Sequence, residues 1–227
     1  MQMFIADSDR LTSYQLKVIE SPPESKIFLS GLAGTGKTTT GVWRLRWLLS
    51  QGIPAQEILV LVPQRTLAAP YQEVASLPST ETTSLVTHLT IGGLARRMID
   101  LFWVMVAESA GFAYPDRPPV FLTLETAQYY IARLVSPLLE QGYFSSVSIE
   151  RNRLYSQILD NLNKAAVVGF PHTQIAHRLK SAWTGDAAQN RVYEDAQTCA
   201  ILFRNFCLEH NLLDFSLQLE IFKNTLW

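Results

Sequence analysis

Ile27-Phe-Leu-Ser-Gly-Leu-Ala-Gly-Thr-Gly-Lys-Thr-Thr-Thr40 is the stretch on which the reading of the chain turns. A short apolar run ends in glycines, and a lysine with three threonines comes directly after them. Gly31 to Thr38 matches G-x-x-x-x-G-K-S/T in full. Glycines let a backbone turn with its N–H groups inward, and the N-terminus of an adjoining helix adds partial positive charge. The pattern predicts a phosphate cradle between a strand and a helix, made by Gly31, Ala33, Gly34, Thr35, Gly36, Lys37, Thr38 and Thr39. Lys37 would reach the β- and γ-phosphates, and the Thr38 hydroxyl would ligate Mg2+. These two are the expected catalytic residues, and a nucleoside triphosphate with Mg2+ is the expected cofactor.

Outward from the loop, the chain alternates in kind. From Thr38 to Gln51, apolar Val42, Leu45, Leu48 and Leu49 recur at helical spacing, and Gly52 ends the run. Ile58-Leu-Val-Leu-Val62 is a continuous apolar run, as in a strand buried on both faces. A helix is expected from Arg65 to Ala75, a strand over Ser84-Leu-Val-Thr87 and a helix from Ile91 to Ala107. This order predicts an α/β fold over residues 1–110: a P-loop parallel sheet with helices on both faces. Gly111 to Pro119 is a break rich in turn formers. Beyond it only Val120-Phe-Leu122 reads as a strand. Helices are expected over 124–140, 149–166, 172–183, 190–210 and 215–227, an all-helical unit.

Composition sets the class. The chain has 227 residues, 48% hydrophobic and 17% charged, with a net charge of -1. It reads as globular and not disordered, and near-neutrality leaves room for a local basic groove. Cys199 and Cys207 lack metal-ligand spacing and read as buried free thiols. The acidic N-terminus is unlike a signal peptide, and no apolar run is long enough to span a bilayer, so a soluble, cytoplasmic protein without a membrane partner is expected.

Several segments together resemble the UvrD/Rep type of superfamily 1 DNA helicases. Leu11-Thr-Ser-Tyr-Gln15 resembles the L-N/T-x-x-Q with which that family begins. The resemblance implies that Gln15 reads the adenine edge, so ATP is preferred to GTP. Arg44 to Leu61 resembles the R-x-x-x-L-L/I-x-x-G-V/I-x-x-x-x-I-L pattern that comes after the loop. Val62-Pro-Gln-Arg-Thr-Leu-Ala68 holds the place of motif Ia, where the family has T-F-T-N-K-A-A, and Thr87 to Ile99 resembles motif Ib. The resemblance implies contacts to single-stranded or partly duplex DNA from Gln64, Arg65, Thr87 and His88. Cys207 to Phe222, with Asp214-Phe215, resembles the segment that leads out of the helical insert. Residues 111–213 would then be the insert, and 214–227 the start of a return to the α/β core.

In that family the Asp-Glu pair that positions magnesium and the attacking water comes later, as does the second motor domain. They are expected beyond Trp227. Within the chain, Glu194-Asp195 and Asp214 do not end an apolar strand and make poor substitutes. The expectation is an ATP-binding N-terminal part of a helicase that binds ATP but does not turn it over alone. Two other readings fit the same loop: a non-catalytic partner subunit of a helicase–nuclease assembly, and a small P-loop kinase whose lid would draw on Arg151, Arg153, Arg178 or Arg191.

Overall fold

The computed structural model describes residues 11–75, 86–185 and 190–225. The chain divides into two compact units, Met1–Gly93 and Leu94–Trp227.

In the first unit, α1 (Ser13–Ile19) opens on a capping box: Thr12 Oγ1 accepts from Gln15 N–H, and Gln15 Oε1 accepts from Thr12 N–H. The phosphate-loop segment comes next and runs into α2 (Lys37–Ser50). α2 ends before Gly52, whose φ of 82° is the left-handed turn that glycine allows. Then come β1 (Leu59–Leu61), a 3-10 turn (Arg65–Ala68), α3 (Ala69–Ala75) and β2 (Thr87–Leu89). α2 packs between α1 and α3. Its contact with α3 is close at Gly41, where a Cβ would lie 2.7 Å from the Tyr71 hydroxyl. β1 and β2 pair in parallel, with Val60 opposite His88.

The second unit holds the main core. It comprises α4 (Ile91–Ala110, whose first turn precedes the division), β3 (Val120–Phe121), α5 (Leu124–Glu140), α6 (Arg151–Val168), a 3-10 turn (His172–Gln174), α7 (Ile175–Ala182), α8 (Asn190–Glu209), β4 (Leu212–Leu213) and α9 (Phe215–Thr225). Ile99, Val106, Ile131, Val135, Leu162, Phe203 and Leu213 are fully buried, one apolar stripe from each of several helices. α4 is broken at Phe102, which has non-helical φ and ψ. Among the described residues, no helix is long and apolar enough to cross a membrane.

The expected P-loop parallel sheet with helices on both faces is not what forms. Helix makes up 65% of the structure and strand 5%, and the strands make two parallel pairs, β1–β2 and β3–β4. The reason is visible in the apolar runs. Ile27-Phe-Leu-Ser30 joins neither pair, and Phe28 is 94% exposed. Ile58–Val62 pairs along one edge over three residues, and Leu59 and Leu61, on one face, stay exposed although the run reads as buried on both faces. A continuous apolar run needs ladder partners on both edges to become a central strand. Of the expected strand at Ser84–Thr87, the first two residues lie outside the described ones. So do the last two residues of the helix expected to end at Trp227.

The turn-rich segment read as a break is closely bound. Phe112 is buried edge-on against Trp103, with ring centres 4.9 Å apart. Trp103 Nε1 donates to the Arg117 carbonyl at 2.6 Å. Asn211, at φ 52°, accepts from Tyr114 N–H and donates from Nδ2 to the carbonyls of Tyr114 and Arg117. The chain divides at Gly93, before most of α4, because α4 supplies core residues to the helical unit.

Arg204 on α8 is a buried charged group of this unit, 3% exposed. Its Nη2 donates to Ser216 Oγ at 3.0 Å and meets Glu220 Oε2 at 3.0 Å. Its Nη1 lies 3.5 Å from Asp214 Oδ1. Asp214 also caps α9, accepting from the N–H groups of Ser216 and Leu217. His172 Nδ1 lies 3.5 Å from the other Glu220 oxygen. Burial pushes the Glu220 carboxyl up, but the nearby His172 and the charge of Arg204 outweigh it and leave the group below the usual carboxylate range. Such a group stabilises fully above its unfolded-state value and loses the contribution as pH falls through the lowered one.

Arg204→Ala is expected to cost about 3 kcal/mol, because it removes the cation that Asp214 and Glu220 share; the midpoint of urea unfolding checks this. Glu220→Gln is expected to flatten the fall in stability below about pH 4.5, seen by repeating the unfolding across that range. Parallel acid limbs for the two proteins would contradict the assignment.

Candidate nucleotide-phosphate site

Gly34 and Gly36 take φ of 79° and 81°, the left-handed region that a β-carbon disfavours. These two turns bring the chain onto the start of α2. Gly36 is the cap residue of α2 and offers no side chain to it. The first intrahelical bond runs from Thr40 N–H to the Gly36 carbonyl. The N–H groups of Gly36, Lys37, Thr38 and Thr39 therefore donate to no acceptor among the described residues. In the first turn of a helix such groups point along the axis, out of its end. They make an N-terminus with donors to spare and partial positive charge.

Lys37 stands at this end. Its Nζ donates to the carbonyls of Gly31 at 2.8 Å and Leu32 at 2.7 Å, so the ammonium lies over its own loop. An ammonium has three donors, and one is left over. Thr35 Oγ1 donates to the Leu32 carbonyl and stiffens the same turn. Thr38 is exposed, and its hydroxyl has no partner among the described residues. Ala33 and Thr39 contribute backbone. The residues present fit a polyphosphate: free amides, a cation and a narrow glycine turn. For Mg2+ they supply one hydroxyl, so the phosphates and water would complete the shell.

Gln15 comes to the same loop from α1. Its Nε2 donates to the Thr35 carbonyl at 3.4 Å, across 20 residues of sequence. A Cβ at Gly36 would stand 2.6 Å from that nitrogen. The amide spends one donor on Thr35 and one oxygen site on Thr12. One donor and one acceptor site, side by side, are left.

The other expected residues belong to the β1–β2 pair. Gln64 and Arg65 are exposed and come after β1, and the turn that Arg65 opens contacts β2. Thr87 opens β2 and His88 is its middle residue, so their side chains point to opposite faces. Thr90 closes the strand, and its Oγ1 accepts from Gly93 N–H, capping α4. His88 Nε2 is buried and without a partner among the described residues, and burial holds the ring below the usual histidine range, against a bond from Val86. A neutral ring of this kind is a poor phosphate contact. Arg65 is exposed.

The acids weighed as metal ligands have other work. Glu194 pairs with Lys180. Asp195 is buried, and its Oδ2 accepts from Phe144 N–H at 2.8 Å. Asp214 is held by α9 and Arg204. Among the described residues, no three or more His, Cys, Asp or Glu side chains are grouped to hold a metal. Cys199 and Cys207 are buried free thiols; burial, with Asp195 nearby, pushes Cys199 up to about 12 and makes it a poor nucleophile. Arg178 lies over the Phe170 ring.

No protein-family model matches the chain, and a search of curated proteins found no match.

Sequence reading missed the role of Arg44. It stood only as one letter of a pattern, yet its guanidinium joins α2 to the end of α1. No local signal marks it, since its partners lie more than twenty residues upstream.

Two glycine variants separate strain from contact. Gly36→Ala and Gly52→Ala each place alanine at a left-handed φ and are expected to lose about 1–2 kcal/mol, read by thermal unfolding. Gly52 has open space around it, whereas Gly36 faces the Gln15 amide. Only Gly36→Ala is therefore expected to move the Gln15 side-chain amide resonance in an NMR spectrum.

Proposed function

We propose that residues 11–40 bind ATP with Mg2+, and that the chain is the ATP-binding part of a UvrD/Rep-like, ATP-dependent DNA motor. The observation that carries the first statement is the coincidence of three groups at one helix end. Free amides of the first α2 turn, the Lys37 ammonium and the Gln15 carboxamide meet around one glycine turn. Anions are held at such an end by oriented dipoles that need no reorganisation. Thr38 would take Mg2+, which offsets charge on the β- and γ-oxygens when bound. The spare donor and acceptor of Gln15 suit the adjacent acceptor and donor on adenine's edge.

The pattern from Arg44 to Leu61 and the exposed Gln64 and Arg65 after β1 support the DNA motor. Arg65 would meet a phosphate of single-stranded DNA, positioning the strand without reading its sequence. Turnover needs a carboxylate that orients water, and Asp195 and Asp214 are committed to structural bonds. The chain by itself holds ATP and does not cleave it.

Lys37→Ala is expected to weaken ATP binding by about 10–100-fold, the worth of a charge-assisted bond, in a fluorescence titration with unchanged circular dichroism. Unchanged affinity would sink the site. Arg65→Ala is expected to lower the slope of log K against log salt for an oligothymidine by about 0.7, one single-strand phosphate contact.

A further inference from the structure

Arg44 makes an unusual set of bonds. Its Nη1 donates to the carbonyls of Ile19, at 2.7 Å, and Ser21, and its Nη2 donates to the carbonyl of Pro22 at 2.9 Å. On its other side the guanidinium lies 4.8 Å from the centre of the Trp47 ring. The last carbonyls of a helix have no intrahelical partner, and a cation there also meets the negative end of the dipole. Arg44 thus closes the end of α1 and fastens it to α2.

That fastening matters because α1 has little else. It has seven residues, too few to persist alone, and Ile19 is its one buried residue. Tyr14 is 84% exposed and Leu16 is 38% exposed. The opposite end of α1 carries Gln15, whose reach to the Thr35 carbonyl is long, at 3.4 Å. A small swing of α1 would take the carboxamide out of range. Lys37 and the amides of α2 do not depend on α1 in this way, since they belong to α2 and its loop.

We propose that Arg44 is a positioning residue for the nucleotide base: it grips the end of α1 and so holds the Gln15 carboxamide at the phosphate loop. Arg44 touches neither phosphate nor base in this scheme. It sets the preference for adenine and leaves the phosphate grip alone. Lysine cannot replace it, because a single ammonium lacks the fork that spreads its donors over several carbonyls at once. The inference rests on the reading of residues 11–40 as an ATP site.

The test compares ATP, GTP and tripolyphosphate binding to the 227-residue chain and to Gln15→Ala, Arg44→Ala, Arg44→Lys and the double alanine variant. Arg44→Ala is expected to lose about tenfold in ATP affinity, the worth of a hydrogen-bonded contact or two, and to bind tripolyphosphate within about twofold of the parent. The double variant is expected to be no weaker than either single one, because both remove the same contact. Arg44→Lys, which keeps the charge, is expected to behave like Arg44→Ala and to show faster hydrogen exchange in α1 with α2 still protected. Hydrogen exchange in Arg44→Lys decides the matter if Arg44→Ala does not fold. An unchanged ratio of ATP to GTP affinity, or equal losses for ATP and tripolyphosphate, overturns the role of Arg44. A parent chain that binds none of the three ligands overturns the ATP site, and the role of Arg44 with it.

Discussion

A guanidinium taken out of water has to be met by acceptors, and Arg204 imposes that demand on the helical unit. Its acceptors come from three places: the residue before α9, the first turn of α9 and the second turn of α9. Satisfying one charge therefore fixes where α9 starts, which way it rotates and how it lies on α8. Asp214 shows the economy of this. The same carboxylate that faces Arg204 caps α9, so the helix begins where the charge requires. Buried ion pairs add less stability than a matched apolar core, yet they punish alternatives severely.

The first unit solves the opposite problem. Its chemistry sits at the surface, where amides and an ammonium are left open and little core surrounds them. Order there comes from a few directed bonds: the glycine turn, the Thr12 capping box and the Arg44 grip. Both units use an arginine to join the end of one helix to the flank of another. In the helical unit the arginine is buried among carboxylates. In the first unit it is matched by neutral carbonyls and an aromatic face, which cost less to bring together.

Helices are legible in the sequence because apolar spacing reports them directly. Leu124–Glu140 has the bounds its periodicity predicts, α8 ends one residue before its expected end, and α9 starts at the expected residue. Strands form within the runs at 58–62 and 120–122, and where a run falls short there is one reason. An apolar run says that side chains avoid water, but not that a neighbouring strand exists to pair with it. Ile27–Ser30 and Ile58–Val62 are identical in that respect to central strands, and the difference lies wholly in partners elsewhere in the chain. β4 is invisible because two leucines between a helix and a cap carry no period. At the candidate site, the glycines and Lys37 are legible, since a fixed spacing encodes a backbone path. The Arg44 contacts are not, because nothing local ties residue 44 to residues 19, 21 and 22.

Asn211 has a consequence for how the chain tolerates change. Turn-rich stretches such as 111–119 are where proteins ordinarily accept inserted residues and proteolytic cuts. Here one amide at residue 211 holds the backbone at Tyr114 and Arg117 together. Lengthening the segment by even one residue would shift those carbonyls out of register with a side chain that is itself fixed in a left-handed backbone. The Gly111–Pro119 stretch, composed like a linker, is a seam sewn shut from the far side of the sequence, and grafts placed there would open it.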